Sequence, residues 1–191
     1  MMKQSLTAKD LRIVDEDEIK AKLASIKRNP IYFILEDVFD TYNIGGLFRL
    51  ADALAIEKIY LCGGTETPPN SRILKASVGT YKVVPWEYKH AAKEAIDELR
   101  SLNTKYQIPN TKVNVIAIEQ AQNSIDYREA NYTAPVAFLV GNETSGVTEA
   151  TLKLVDQVVE IPMWGINKSL NVIVSAAIVS YFAFSKSGTG S

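Results

Sequence analysis

Apolar positions along this chain fall into short runs that alternate with stretches at helical spacing. Ile31 to Leu35 is a continuous apolar run, β-branched or aromatic in part, and it reads as a buried strand. Asn43 then precedes Leu47, Leu50, Ala51 and Leu54, so a helix capped by Asn43 is expected. Lys58–Cys62 is the next strand, closed by Gly63 and Gly64. Ser71 caps a short helix ending at Gly79, and Lys82–Trp86 reads as a strand that Pro85 assigns to a sheet edge or ends. A charged helix over about residues 89–103 carries Ala92, Ile96 and Leu99 inside. Lys112–Ile118 and Pro135–Val140 are strands, Thr148 opens a helix through Leu154, and Val158–Ile161 is the last strand. A long helix runs from Ser169 to about Ser185. Ahead of all these, Ile19, Leu23 and Ile26 mark an amphipathic helix over about residues 15–28.

Strands alternating with helices imply an α/β fold, a mostly parallel sheet with helices on both faces. No repeat or linker divides the chain. The expected organisation is a helical extension over residues 1–30, one domain over 31–185, and a disordered small-residue tail over 186–191. The final helix is apolar nearly all round, whereas an ordinary surface helix shows a single apolar stripe. Its second face needs a cover, and a homodimer is the commonest supply.

Composition narrows the function classes. With 191 residues, 47% hydrophobic and 23% charged, the chain is an ordinary folded one, not a disordered or collagen-like one. One cysteine, Cys62, permits no internal disulfide, and with His90 as the single histidine no zinc site is legible, so no metal is expected. No leader-like start and no apolar run of about 18 residues is present, so a cytoplasmic protein with no membrane span is expected. The net charge of −1 hides an uneven distribution, because residues 71–112 hold eight basic and four acidic side chains. Lys20, Lys22, Lys27 and Arg28 form a second basic group. A local basic face of this kind, rather than a basic total, is what contact with nucleic acid requires.

A parallel sheet binds ligands at the carboxyl ends of its strands. The dinucleotide spacing G-x-G-x-x-G, the phosphate loop G-x-x-x-x-G-K-[ST] and the hydrolase elbow G-x-S-x-G are all missing. Three other segments stand out at strand-to-helix connections: Asn43-Ile-Gly-Gly-Leu-Phe-Arg49, Leu139-Val-Gly-Asn-Glu-Thr-Ser-Gly-Val147, and Ile161-Pro-Met-Trp-Gly-Ile-Asn-Lys-Ser-Leu-Asn-Val172. In order and spacing they resemble the three motifs of the SpoU (TrmH-like) branch of the SPOUT RNA methyltransferases, over about Ile31 to Phe184. Two positions depart from the usual pattern: Leu50 stands where the family has Ser or Thr, and Ile173 where it has Ser.

The resemblance implies a deep C-terminal trefoil knot, S-adenosylmethionine as cofactor, and methylation of a ribose 2′-hydroxyl in structured RNA. Transfer RNA is favoured, with ribosomal RNA second; the alternative is a non-catalytic RNA-binding protein on the same scaffold. It assigns chemistry to Arg49, Asn43, Glu143, Ser169 and Asn171, with Glu143 pairing near Arg49. Arg49 would steady negative charge on the 2′-oxygen, since a guanidinium does not give up its proton. The adenosyl pocket would involve Ile118, Glu119, Leu139, Gly141, Ile161, Met163 and Leu170. RNA would be positioned by Lys20, Lys22, Lys27, Arg28, Arg72, Lys75 and Lys82.

Overall fold

The computed structural model describes residues 26–101 and 112–186. The strands are β1 (Asn29–Glu36), β2 (Ile56–Cys62), β3 (Trp86–Lys89), β4 (Asn114–Ile118), β5 (Ile125–Asp126), β6 (Val136–Val140) and β7 (Gln157–Glu160). The helices are α1 (Thr41–Ala53), α2 (Ser71–Ser77), α3 (Ala92–Ser101), α4 (Glu149–Leu152) and α5 (Val172–Lys186). The strands form one sheet in the order β3-β2-β1-β6-β4-β7-β5, with every pairing parallel.

Period-two alternation divides the sheet's side chains between two cores. Phe33, Leu35, Ile116, Phe138, Val140 and Val159 pack beneath α1, α2 and α5. Tyr32, Ile34, Val115, Ala117, Leu139 and Val158 pack beneath α3 and the α4 region. The expected α/β architecture with helices on both faces is therefore observed. Among the described residues no helix is long and apolar enough to cross a membrane.

Several boundaries differ from the sequence reading, each for a local reason. Asp40, not Asn43, caps α1, its side chain accepting the Tyr42 N–H, and Asn43 lies inside the helix. Asn70 rather than Ser71 caps α2. The expected strand Lys82–Trp86 is a 3₁₀ turn over Thr80–Lys82 followed by β3, because Gly79 enters at φ 93° and turns the chain. β3 is an edge strand, as Pro85 suggested. Asn171 rather than Ser169 caps α5, accepting the Ile173 N–H at 2.8 Å. β5 was not expected; two residues carry too little periodicity to read. Of the anticipated helix over 15–28, only residues 26–28 are described, and they are not helical. Of the tail expected over 186–191, Lys186 instead ends α5, and residues 187–191 lie outside the described residues.

α1 and α2 meet at Gly45. A Cβ there would lie 2.4 Å from the Ala76 Cβ and 2.8 Å from the Ser77 backbone nitrogen. Gly45→Ala should therefore force the helices apart and cost about 1–3 kcal/mol, the range for an overpacked core, read as a lowered urea midpoint at unchanged slope. An unchanged midpoint would mean that α2 is free to shift. At the neighbouring Gly46 the Ile173 side chain fills the space, 2.4 Å from where a Cβ would stand.

Candidate active site

A cleft of about 590 Å³ opens at the carboxyl ends of β6, β4 and β7, lined there by Val140, Ile118 and Val159. A doubly wound sheet usually binds its ligand where the strand order reverses, here between β1 and β6. That crevice is filled. Glu36 is buried at the end of β1, and its carboxylate accepts the Thr148 N–H at 3.0 Å, the Thr148 hydroxyl at 3.2 Å and the Thr151 hydroxyl at 2.5 Å. The start of α4 is thereby tied over the switch point, and the open cleft lies beyond it on the α5 face.

Two loops and the start of α1 build the walls. The loop after β6 doubles back, with Asn142 and Gly146 exchanging backbone hydrogen bonds of 2.9 and 3.2 Å. A Cβ on Gly141 would lie 2.3 Å from the Gly146 carbonyl carbon, so glycine is required for this close approach. Glu119 clamps the same loop: its carboxylate accepts the Val147 N–H at 2.9 Å and the Gln120 N–H at 2.8 Å. The loop between β7 and α5 is pinned by the Gln120 side chain, whose Nε2 donates to the Lys168 carbonyl at 2.6 Å.

A directed chain of hydrogen bonds crosses the cleft. The Asn171 side-chain oxygen is taken by the Ile173 N–H, so its Nδ2 donates to Asn43 Oδ1 at 2.9 Å. Asn43 Nδ2 in turn donates to Glu143 Oε1 at 2.9 Å. Glu143 also accepts the N–H groups of Asp40 at 3.1 Å and Phe39 at 3.2 Å. Burial works against ionisation of Glu143, but the Asn43 amide and the backbone N–H groups outweigh it and hold the carboxyl below the usual carboxylate range.

The charge of the cleft is one-sided. Asp40, Glu119, Glu143 and Glu160 line it, and among the described residues no lysine, arginine or histidine does. Four carboxylates without a cation disfavour a phosphate-bearing ligand and favour one that carries positive charge.

Most of the residues singled out from the sequence converge here. Asn43, Glu143, Ser169, Asn171, Ile118, Glu119, Gly141, Ile161, Met163 and Leu170 all line the cleft. Leu139 does not: it is fully buried beneath α3 and α4, and its neighbour Val140 lines the cleft instead. Adjacent strand residues face opposite sides of a sheet, so a one-residue difference is decisive. Arg49 is exposed on α1, outside the lining, and no described hydrogen bond or ion pair includes it. The expected pairing of Glu143 near Arg49 is replaced by the pairing with Asn43. Asn142 had no assigned role, yet its Nδ2 donates to the Asp37 carbonyl at 2.8 Å and fastens the β6 loop to β1. Gln120, Asn167 and Glu160 likewise line the cleft without a sequence signal of their own.

Of the basic residues, Arg72, Lys75 and Lys82 are exposed on α2 and the 3₁₀ turn, and Lys27 is exposed ahead of β1. Arg28 is committed to the fold, donating to the carbonyls of Ile56 at 2.9 Å and Val83 at 2.6 Å. Lys20 and Lys22 lie outside the described residues.

Comparison with known proteins gives consistent relatives. The chain is 29% identical over 152 residues to the tRNA (guanosine(18)-2′-O)-methyltransferase of Escherichia coli, covering 78% of this chain and 60% of that protein. It is 31% identical over 160 residues to the 23S rRNA (guanosine(2553)-2′-O)-methyltransferase RlmP of Bacillus subtilis, covering 84% of this chain and 59% of that protein. The crystal structure of an AdoMet-bound rRNA methyltransferase from Sinorhizobium meliloti superposes with a TM-score of 0.73 at 28% identity, covering 86% of this chain and 60% of that one. The chain thus spans about three-fifths of the length of these relatives. Residues 30–181, which carry all three loop motifs and both asparagines of the hydrogen-bonded chain, match the SpoU rRNA methylase family, and the protein belongs to that family.

Proposed function

We propose that this chain transfers the methyl group of S-adenosylmethionine to a ribose 2′-hydroxyl of structured RNA, transfer RNA in the first place and ribosomal RNA in the second. The observation that carries this reading is the cleft's charge, four carboxylates and, among the described residues, no cation, on walls that combine the apolar Ile118, Val140, Ile161, Met163 and Leu170 with uncharged polar side chains such as Asn43, Gln120 and Asn167. Its volume of about 590 Å³ is within the roughly 300–1,000 Å³ of small-ligand sites. S-adenosylmethionine fits this donor set, because it is a nucleoside with a sulfonium and an ammonium and has no phosphate. When bound it supplies an electrophilic methyl group. The names of the relatives, methyltransferases of tRNA and rRNA riboses, and the AdoMet bound to the structural neighbour support the same assignment.

The chain's own part is to bind, orient and stabilise. Gly141 and Gly146 let the loop after β6 fold tightly on itself and against Glu119, which shapes the cleft wall. Glu143, low in pKa and with both oxygens already accepting hydrogen bonds, positions Asn43 and the 39–40 backbone rather than taking up a proton. Arg49 contributes a planar guanidinium, whose part is to hold negative charge on the 2′-oxygen.

The proposal extends to a cytoplasmic homodimer with a knotted path for the residues after β7. Val174 and Tyr181 on α5 are 44% and 50% exposed, and Tyr42 on α1 is 57% exposed. A second copy covering these helices would receive Arg49 from its partner. The test uses S-adenosylmethionine labelled in its methyl group with total transfer RNA or ribosomal RNA, followed by digestion to nucleosides. Label in a 2′-O-methyl nucleoside is the expected result; label confined to a base, or none, overturns the reading. Light scattering of the active protein should give twice the chain mass.

A further inference from the structure

The tip of the loop between β7 and α5 takes no part in the reaction as described. Trp164 is 87% exposed and Ile166 fully so. Met163 on one side and Asn167 on the other line the cleft, so the tip is the cleft's rim. Among the described residues no hydrogen bond or ion pair engages the Trp164 indole N–H or the Lys168 ammonium; Lys168 is held through its backbone carbonyl alone.

The rim sits against an electrostatic difficulty. A ribose delivered to a cleft lined by four carboxylates brings its phosphates with it, and both are repelled. Attraction must come from groups at the edge that tolerate the phosphates or neutralise them. An indole face binds any base without regard to charge. A lysine four residues on supplies the neutralising charge.

We propose that Trp164 is a stacking platform for an unpaired nucleobase of the substrate RNA and that Lys168 pairs with the phosphate beside it. The proposal rests on the RNA methyl-transfer reading above. It commits to RNA as the occupant of this rim; a second copy of the chain is the competing outcome.

The chain has two tryptophans, so Trp86→Phe leaves Trp164 as the sole indole reporter. Total transfer RNA should quench its emission, and a fully paired RNA duplex should not. Trp164→Ala should raise the KM for transfer RNA about 5- to 150-fold, the range for loss of one stacked base, at unchanged affinity for S-adenosylmethionine. Trp164→Phe should restore most of that loss. Lys168→Gln should lower the slope of log affinity against log salt by about one. Emission that ignores RNA but shifts with protein concentration assigns the rim to a second copy and overturns the proposal. A wild type that methylates RNA while Trp164→Ala does so with unchanged KM overturns this inference alone. A wild type with no methyl transfer to any RNA overturns the functional reading and this inference together.

Discussion

Glu143→Ala should lower methyl transfer by about 10²- to 10³-fold, the cost of deleting one preorganised polar group from an active site. The loss releases Asn43 Nδ2 and the N–H groups of Phe39 and Asp40 at once, since all three converge on this carboxylate. Glu143→Gln should be nearly as poor. Both oxygens of Glu143 accept, and an amide would turn its NH₂ toward another N–H. The pH dependence has a definite sign. A carboxyl whose pKa is depressed on folding contributes stability fully above its ordinary value of about 4.3 and loses it as pH falls through its own lower value. The stability gap between wild type and Glu143→Gln should close across that interval. A gap that stays constant on acidification, or a Glu143→Ala enzyme with native turnover, removes Glu143 from the site.

The second large effect concerns Arg49. Arg49→Ala should reduce turnover by about 10²- to 10³-fold and leave S-adenosylmethionine affinity and thermal stability close to native. The side chain is exposed and touches neither the cleft lining nor a described partner, so its removal opens no cavity. Arg49→Lys should recover little, because a point charge does not reproduce a planar fork. In the proposed homodimer the guanidinium serves the neighbouring cleft, which yields a stricter test. Inactive Arg49→Ala and inactive Glu143→Ala chains, unfolded and refolded together, should regain activity, since one cleft of each mixed dimer is whole. No recovery in a mixture shown to contain hybrids would place Arg49 in its own protomer's chemistry or in none.

How far the sequence carried depends on what kind of signal each feature leaves. β1, β2, α1 and α5 were legible because burial imposes long apolar runs. The strand expected at Lys82–Trp86 begins only at Trp86, because Gly79 and the Thr80–Lys82 turn decide the backbone there against the β-propensity of Val83 and Val84. Caps were misplaced by one to three residues, Asn43 for Asp40 and Ser169 for Asn171, because several polar residues near each helix start are equally able to cap. The cleft's membership was legible through the three motifs. Its chemistry was not. That Asn43 and Asn171 bond to each other, that Glu119 secures a loop, and that Glu36 closes the switch-point crevice are long-range pairings with no local pattern. The position of Arg49 away from Asn43 was within reach of spacing, since six residues along a helix place two side chains on different faces.

The bond between Asn171 and Asn43 joins positions 128 residues apart, and that between Asn43 and Glu143 spans 100. Contacts this distant close late, after the entropy of a long loop has been overcome. During synthesis α1 leaves the ribosome long before Glu143 and Asn171 exist, and the Asn43 side-chain amide waits for both. The site is therefore completed only at the end, when the segment leading into α5 docks and Asn171 reaches Asn43. A nascent chain stopped before Asn171 would already hold Asn43, Glu143 and most of the sheet, yet lack the cleft wall that Asn171, Val172 and Ser175 supply.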